Sequence, residues 1–261
     1  IIKDIEHRIG WCYNGIEFIK TPLKCSIENL GDSINSSYPE YSPVITADET
    51  TLMFTSRRKG TGGSDNRTLD GSFYEDVWQS NKLPDGKWGE AHLLSKAINT
   101  YEHEATIGLS ANGQKLFLYK DDQGNGGIYE SDLNGDDWQT PEKIGEGTIS
   151  DINSLAWETH ACITADGQTL YFTSDRKGGF GGRDIYRAVK LPNGSWSMAL
   201  NLGPKINTPY DEEAPFMHPD GVTLIFSSKG HKGMGGFDIF FAQKNDSGWT
   251  DPANIGYPIN T

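Results

Sequence analysis

The stretch Gly203-Pro204-Lys205-Ile206-Asn207-Thr208 contains an Ile-Asn pair that recurs along the chain. The pair is found at Ile34-Asn35, Ile98-Asn99, Ile152-Asn153, Ile206-Asn207 and Ile259-Asn260, so that successive asparagines are 64, 54, 54 and 53 residues apart. A period of about 40–50 residues, built from short strands and turns, is typical of a propeller or a repeat array. A residue present in every unit is expected to hold the unit together, whereas a residue found in one unit is the better candidate for function.

Each unit shows the same order of strands and turns. An apolar stretch such as residues 161–164 leads into the tight turn Asp166-Gly167 and a second apolar stretch at 170–173. Asp-Gly is among the strongest hairpin signals, because both central residues must adopt positive φ. A third strand and a turn with tryptophan follow, and we expect the Ile-Asn segment to form the outer strand. We therefore predict an all-β fold, a β-propeller of four-stranded antiparallel blades, four of them in residues 25–261.

Residues 1–22 have helical periodicity. Apolar side chains recur at steps of three or four residues, at Ile2, Ile5, Ile9, Tyr13, Ile16 and Ile19. This pattern predicts a short amphipathic helix, which Thr21-Pro22 ends. We expect the helix to pack on the propeller or on further helices upstream.

The leading segment at residues 26–31 is an extra outer strand, because the fourth blade already has its own near residues 253–259. We expect one or more blades to follow Thr261, so that the propeller is truncated at the C-terminus of this chain. Two alternatives remain open: the leading strand stays unpaired, or it pairs in another molecule, since open sheet edges invite pairing.

The composition excludes some partners. With 23 basic and 36 acidic residues, the formal charge is −13, which disfavours nucleic acids and anionic membranes but leaves basic proteins, cations and sugars. No apolar stretch is long enough to span a membrane, and no cofactor or metal motif is present. Cys12, Cys25 and Cys162 lack metal or redox spacing. We expect three free, buried thiols, with pairing of two in an oxidising compartment as the alternative.

One stretch resembles a known family. Residues 172–186, Phe-Thr-Ser-Asp-Arg-Lys-Gly-Gly-Phe-Gly-Gly-Arg-Asp-Ile-Tyr, are similar to the PD40, or WD40-like, repeat of TolB-type propellers, and residues 227–240 repeat the pattern. The wider layout resembles Bacteroidetes envelope proteins that join tetratricopeptide helices, a PD40 propeller and an OmpA-like peptidoglycan-binding domain, among them a lipoprotein of type IX secretion. Blade two departs from the pattern, because residues 121–127 lack the arginine and the aspartate, and we expect its hairpin to be looser.

The resemblance implies a location, partners and a place for the helix. Residues 1–22 would be the end of an upstream tetratricopeptide-like array. The protein would be periplasmic and associated with the outer membrane, would bind other envelope proteins, and would reach peptidoglycan only through a domain outside this chain.

A glutamate precedes the first strand of every unit, at Glu40, Glu104, Glu158 and Glu212. At one mouth of a propeller channel these carboxylates could bind a hard cation or a lysine-rich partner. The alternative, which we favour because the residue recurs, is that each glutamate bonds the backbone of the neighbouring blade. His103 and His160 lie near these positions, and a channel site could use both.

Other polar residues are interpreted as structural or as loop candidates. Asp76, Asp184 and Asp238 stand at the start of the third strands, where short acidic side chains accept backbone N–H bonds, and Arg176 is expected to pair with Asp184. The first unit carries a polar insert that includes Ser64, Asp65, Asn66 and Arg67. Inserted loops on rigid scaffolds often bind partners, although a bystander loop is an equal alternative.

Three functions are compatible with these features. We favour a non-catalytic interaction scaffold, since no catalytic motif is present. The alternative is a glycan-binding or glycan-hydrolysing propeller in which channel-mouth carboxylates such as Glu104 and Glu158 supply acid and base. A third hypothesis is a propeller that gates a serine peptidase domain outside this chain.

Overall fold

Four antiparallel sheets, one for each sequence repeat, are arranged as propeller blades in the computed structural model. The structure describes residues 2–60, 67–122, 124–145 and 151–261. The predicted all-β propeller with a short N-terminal helix is confirmed.

The strands are numbered in chain order from the helix α1 (Ile2–Phe18) onward. Blade 1 contains β1 (Glu40–Ile45), β2 (Thr51–Ser56), β3 (Asp76–Asn81) and β4 (His92–Leu93). Blade 2 contains β5 (Glu104–Leu109), β6 (Lys115–Asp122), β7 (Asn125–Asn134), β8 (Asp137–Trp138) and β9 (Glu142–Lys143). Blade 3 contains β10 (Glu158–Ile163), β11 (Thr169–Ser174), β12 (Asp184–Val189) and β13 (Leu200–Asn201). Blade 4 contains β14 (Glu212–Met217), β15 (Thr223–Ser228), β16 (Asp238–Asn245), β17 (Gly248–Trp249) and β18 (Ala253–Asn254).

The first hairpin of each blade forms where the sequence predicts it. Gly113, Gly167 and Gly221 adopt positive φ of 69° in the turns of blades 2, 3 and 4. In each turn an Asn or Asp side chain also accepts a backbone N–H, as Asp166 does from Gln168 at 2.9 Å. The turns therefore set the register of the first two strands of each blade.

The hydrophobic core lies between blades rather than within one. The inner strands pack in order, β1 on β5, β5 on β10 and β10 on β14. Between blades 2 and 3, Phe117 and Ile128 meet Leu170 and Phe172, all fully buried. The isoleucine of each internal Ile-Asn pair is buried in the same layers, with Ile98, Ile152 and Ile206 at 0% exposure. A single blade buries only one part of such a layer, so the blades depend on their neighbours for stability.

The Ile-Asn pair is not the fourth strand, which corrects the sequence prediction. The outer strands β4, β9, β13 and β18 come a few residues earlier, and the pair lies in the turn that follows each of them. Asn207 shows why the residue recurs. Its side-chain oxygen accepts the Ile185 N–H at 2.8 Å, and its amide nitrogen donates to the Ile185 carbonyl at 2.9 Å. We call this contact the asparagine clamp.

The clamp is repeated in every blade. The corresponding pairs are Asn99 with Val77, Asn153 with Ile128, and Asn260 with Ile239. In each pair one side chain accepts the N–H of one residue near the start of the third strand and donates to the carbonyl of the same residue, which also accepts a backbone N–H from the segment after the outer strand. The clamp thus holds the link between two blades against the third strand of the first.

Blade 2 also differs from its sequence prediction. The expectation of a looser hairpin is wrong, because β6 and β7 pair along their full length, from Lys115 with Asp132 to Asp122 with Asn125. Without the aspartate and its glycine-rich loop, the two strands run on until a short connection joins them.

Helix α1 packs on blade 4 through the face opposite its isoleucine stripe. The His7 ring contacts the Lys229 carbonyl at 2.8 Å and stacks on Tyr210, and Asn14 donates to the Gly233 carbonyl at 2.7 Å. By contrast, Ile5 and Ile9 are about half exposed. The helix therefore docks with its polar and aromatic face, and the apolar stripe points away from the propeller.

The cysteines correct a further expectation. Cys162 is buried between blades 3 and 4, and burial raises the pKa of its thiol to about 12. Cys12 and Cys25, however, are exposed, and all three thiols are free. Within the described part of the chain, no helix has the length and apolarity required to cross a membrane.

The asparagine clamp predicts a specific loss of stability. Asn207→Ala leaves the Ile185 N–H without its acceptor in a buried layer, whereas the Ile185 carbonyl keeps the Leu202 N–H at 3.1 Å. We expect the free energy of unfolding to fall by about 1–3 kcal/mol. Urea denaturation followed by tryptophan fluorescence measures this change. Asn193→Ala, which removes only bonds within an exposed turn, is the matched control and should cost under about 1 kcal/mol. Equal losses in the two variants would contradict the role of the clamp.

Candidate functional site

The four recurrent glutamates are engaged in the links between blades. The side chains of Glu104 and Glu158 are 0% exposed. Glu158 accepts the Ser154 N–H at 3.1 Å and the hydroxyls of Ser154 and Ser174, each at 2.8 Å. Ser154 directly follows the Ile-Asn pair of blade 2, so Glu158 ties the start of blade 3 to the link that precedes it.

The other three glutamates make the equivalent contacts. Glu40, Glu104 and Glu212 accept the backbone N–H of Ser36, Thr100 and Thr208 at 3.0, 3.0 and 2.7 Å. The structure therefore holds each carboxylate against its own link, and it does not direct the four toward one cation. Among the described residues, no group of three or more acidic, histidine or cysteine side chains is placed to hold a metal ion.

Local contacts set the pKa of two of these carboxyls in opposite directions. Burial raises the pKa of Glu212 despite the bonds from Ser228 and Thr208. Burial also acts to raise the pKa of Glu40, but hydrogen bonds from Ser36, Ser56 and Arg58 outweigh it and leave that pKa lowered.

Arg176 does not pair with Asp184, which corrects the sequence prediction. Its guanidinium donates to the Asp151 and Ile152 carbonyls at 2.9 and 3.0 Å and lies 3.1 Å from Glu158. The expected backbone bonds do form at Asp184, which accepts the Phe180 N–H at 2.6 Å and the Gly181 N–H at 3.1 Å. Arg176 thus binds the link between blades, whereas Asp184 holds the glycine-rich loop.

The other two aspartates also lie at the start of third strands. Asp238 accepts N–H bonds from Met234 and Gly235. Asp76 is buried, and burial, reinforced by the charge of Glu104, raises its pKa to about 6. Gly60, Gly179 and Gly233 lie so close to the three carboxylates that a Cβ there would come within 2.2 Å of an oxygen. These loops therefore require glycine for close approach.

The candidate binding loop falls mostly outside the described residues. Ser64, Asp65 and Asn66 belong to the undescribed stretch. Arg67 donates to the Gly71 carbonyl at 2.6 Å and lies 3.9 Å from the centroid of the Phe73 ring.

The residues that differ between blades cluster at one end of the propeller. We call this surface the upper rim and define it by three positions per blade: the residue before the first strand, the residue after the second strand and the residue before the third strand. Its members are Pro39, Arg57, Glu75, His103, Asp121, Gly126, Trp157, Asp175, Arg183, Asp211, Lys229 and Phe237. In blade 2 the second and third strands extend further, so the equivalent positions by register are Asp121 and Gly126, which pair within β6 and β7. The hairpin turns between the first and second strands lie at the opposite end.

Blades 1 and 2 meet at the upper rim through a histidine–carboxylate pair. The Glu75 carboxylate contacts His103 Nδ1, accepts Tyr41 OH at 2.8 Å and accepts Arg57 Nε at 2.9 Å. Tyr74 stacks on the His103 ring at 3.9 Å. Burial, followed by the Arg57 charge, lowers the pKa of His103, and the Asp121 charge opposes this effect.

Blades 2 and 3 meet through aromatic side chains. Trp157 Nε1 donates to Tyr119 OH at 2.8 Å, and 46% of the tryptophan surface is exposed. A Cβ at Gly126 would lie 2.1 Å from Trp157 Nε1. The glycine is therefore what allows the indole to lie across the junction.

Blades 3 and 4 meet through ion pairs that border a shallow depression of about 360 Å³. Arg183 pairs with Glu213, and its backbone N–H bonds Asp211 at 3.2 Å. Lys229 lies 2.8 Å from Asp211 and 4.4 Å from the centroid of the Phe237 ring.

The two histidines of the predicted channel site have separate surroundings. His103 belongs to the junction of blades 1 and 2, whereas His160 lies near Arg183 and Glu213 at the junction of blades 3 and 4. Burial lowers the pKa of His160, the Glu213 charge opposes this effect, and the Arg183 charge adds to it.

Sequence reasoning missed two sets of residues. The first is the Ser or Thr that directly follows each asparagine and binds the next glutamate. The second is the upper rim, of which only His103 was a sequence candidate; Trp157 and Asp211 likewise directly precede the glutamates. The residues of the first set stand at a fixed distance from each Ile-Asn pair and are always Ser or Thr. The residues of the second set also stand at fixed distances from the pair, but their chemistry differs from unit to unit.

The glutamate contacts generate a stability prediction. Glu158→Ala removes the buried carboxylate that lies 3.1 Å from Arg176 and leaves the Ser154 N–H without its acceptor. Breaking this buried charge pair should cost about 3–5 kcal/mol. Lys205→Ala, which removes an exposed pair with Asp251, should cost under about 1 kcal/mol. Thermal unfolding by circular dichroism measures both. A small effect of Glu158→Ala would show that its carboxylate does not hold the link.

The lowered pKa of His160 generates a prediction about pH. Below the ordinary histidine pKa of 6.5, the unfolded state binds a proton at His160 that the folded state does not bind. His160 therefore lowers the free energy of unfolding as the pH falls from 7 through 6.5 toward the pKa of the folded state. His160→Gln should flatten that part of the stability curve. Asn193→Ala supplies the control, since it removes no titratable group and should keep the wild-type slope. Urea midpoints at pH 7.5, 6.5 and 5.5 give the comparison, and parallel curves for wild type and His160→Gln would exclude the effect.

Comparisons with known proteins identify the fold. Neither a protein-family model nor a curated protein matches the chain. TolB from Acinetobacter baumannii is similar in structure, with a TM-score of 0.51 and 18% identity over 86% of this chain and 45% of that chain. A putative TolB from Agrobacterium tumefaciens has a TM-score of 0.45 and 18% identity over 84% of this chain and 81% of its own.

A structure of a BT0996 complex with RGII has a TM-score of 0.54 and 9% identity, over 86% of this chain and 76% of its own. The chain spans less than half the length of the Acinetobacter protein. At these levels of identity the similarity establishes the fold alone, which is a TolB-like β-propeller.

Proposed function

We propose that the chain is a non-catalytic protein-interaction scaffold of the bacterial cell envelope, periplasmic and associated with the outer membrane, with the upper rim as its docking surface. In its most specific form, the proposal is that the protein takes part in type IX secretion. The resemblance of the PD40-like repeats and the TolB-like fold support it.

One observation carries the proposal: each blade junction at the upper rim has a different pair of side chains on an otherwise repeated frame. The frame needs a clamp and a glutamate bonded to the link in every unit, but it does not need Trp157, Arg183 or His103 at their positions. Side chains that differ among structurally equivalent sites are available for recognition. The ion pairs and ring contacts hold them in fixed orientations, which reduces the entropic cost of binding.

The chemistry of the upper rim fits a protein partner. An exposed tryptophan between two groups of paired charges is a combination that contributes strongly to protein interfaces. The formal charge of −13 would speed encounter with a basic partner, and salt would weaken that steering.

A capture experiment tests the proposal. The protein is immobilised and exposed to detergent-solubilised envelope extract, and bound proteins are identified by mass spectrometry against a tag-only control. We expect Trp157→Ala and Arg183→Ala each to weaken capture of the same envelope protein at least about tenfold. Met198→Ala, an exposed apolar change near the opposite end of blade 3, should leave capture unchanged.

Two results would contradict the proposal. Upper-rim variants that remain folded by circular dichroism and capture the partner as well as wild type would exclude this surface. A hydrolytic activity that one upper-rim substitution abolishes would show that the protein is an enzyme.

Trp157 also supports the second candidate, a glycan-binding propeller, because an exposed indole can stack on a sugar ring. The structural similarity to a protein solved in complex with RGII adds to this candidate. Titration of tryptophan fluorescence with plant and bacterial polysaccharides tests it. Binding that Trp157→Ala abolishes would favour the glycan candidate, and no response from any polysaccharide would eliminate it.

A further inference from the structure

A groove lies between blades 3 and 4 on the outside of the propeller, away from the upper rim. Its volume is about 180 Å³, and the outer strands β13 and β17 both contribute to it. The side chains that form it are those of Tyr171, Arg187, Leu200, Leu202, Lys244 and Trp249. We call this surface the flank groove. The proposed function does not use it.

Blade 3 forms the floor of the flank groove, and blade 4 forms its wall. Tyr171 pairs with Arg187, which pairs with Leu200, so the three residues form one row across β11, β12 and β13. Residues paired directly across strands point to the same face of a sheet. Tyr171 is buried against blade 4, where its ring lies 6.4 Å from that of Trp249. The row therefore faces blade 4.

Two positive charges in the flank groove have no carboxylate opposite them. Arg187 and Lys244 line it, and none of its lining residues is acidic. Within the described part of the chain, neither cation makes an ion pair. Arg187 is half-buried, so it has lost part of its hydration without gaining a partner of opposite charge. A carboxylate that entered the groove would supply charge-assisted hydrogen bonds.

This arrangement occurs in one blade. The residues at the position of Arg187 in blades 1, 2 and 4 are Gln79, Glu130 and Phe241. Glu130 is already paired with Lys115 at 3.5 Å. The shared frame of the blades therefore does not require an arginine at this position, and Arg187 is available for binding.

The remaining surface of the flank groove is mainly apolar. Leu200 is 56% exposed, and it lies beside Arg187 across the strand pair. The Asn201 side chain is already bonded to Asp184 and Asn207, each at 2.8 Å. The groove thus offers two cations beside exposed apolar surface, but few free hydrogen-bonding groups for the hydroxyls of a sugar.

The size and position of the flank groove favour a peptide. Pockets for small molecules usually measure about 300–1,000 Å³, whereas this groove has room for one or two side chains. Strand β13 is the outermost strand of its sheet, and an open strand edge can bind an extended segment. In such a segment, residues two positions apart point to the same face.

We propose that the flank groove binds an extended peptide segment of a partner protein in which an acidic side chain and a large apolar side chain lie two residues apart. The carboxylate pairs with Arg187 and Lys244, and the apolar side chain covers Leu200 and Trp249. The site is separate from the upper rim and gives the propeller a second contact with protein.

Fluorescence anisotropy with labelled synthetic peptides tests the inference. In the peptide set, Leu, Ile, Phe or Trp stands two residues before or after Asp or Glu in a Ser-Gly background. We expect binding that weakens at least about fivefold when Asn or Gln replaces the acidic residue. Arg187→Ala and Lys244→Ala should each weaken it by a similar factor, and circular dichroism shows whether the variants are folded.

Two control variants separate this site from other surfaces. Lys190→Ala changes the lysine of blade 3 that is equivalent to Lys244 and lies 5.5 Å from the centroid of the Trp196 ring. It should leave peptide affinity unchanged. Trp157→Ala should also leave it unchanged, so failure of the upper rim as a docking surface and failure of the flank groove are distinguishable.

Three results would overturn the inference. The first is that no peptide of the set binds. The second is binding that does not change when the acidic residue of the peptide is neutralised, a comparison that uses wild-type protein and does not depend on the folding of a variant. The third is binding of polygalacturonate, an acidic sugar polymer, that Arg187→Ala abolishes while no peptide binds, which would assign the groove to acidic sugars.

Discussion

Near the start of each third strand, one residue has a buried backbone N–H whose acceptor is an asparagine side chain, and the same side chain donates a second hydrogen bond to the carbonyl of that residue, as Asn207 does at Ile185. Buried backbone groups without partners are costly, and the asparagine side chain presents a donor and an acceptor in one plane. Aspartate has no donor at neutral pH, so the chemistry restricts the position. The rest of the propeller depends on this contact, because it fixes where each link leaves its blade.

The neighbours of the asparagine couple that position to the next blade. The preceding isoleucine is buried between blades, and the following Ser or Thr binds the glutamate that starts the next first strand. Three consecutive side chains therefore join the end of one blade, the apolar layer and the start of the next. This arrangement explains why the repeated carboxylates lie within the links: an ionised glutamate in a buried place requires several donors, and the link supplies them.

The sequence predicted the fold well because its signals were local. Asp-Gly turns, alternating apolar strands and a constant period each report on neighbours within one unit. The partner of Arg176 was predicted wrongly, and the orientation of α1 was left open. Both features depend on contacts between residues that are distant in sequence. Arg176 binds a link 24 residues away, and the helix face that docks was decided by His7 and Asn14 rather than by the isoleucine stripe. Apart from His103, the upper rim was missed because its pairs, such as Arg183 with Glu213, join different blades, and the spacing within one unit contains no information about such contacts.

The order of the three junctions along the upper rim bears on how a partner would bind. The aromatic junction with Trp157 lies between the Glu75–His103 junction and the Arg183–Glu213 junction, because the blades follow one another in chain order. Interfaces often combine an aromatic anchor with a more polar surround that excludes water. The flanking charges are already paired, so a partner would not have to neutralise isolated buried ions in order to cover them.

The loss of the aspartate pattern in blade 2 supports the same interpretation, since Gly126 leaves the space that Trp157 occupies. The repeat that departs most from the shared pattern therefore leaves the space for the most exposed ring on the upper rim, which the next blade supplies.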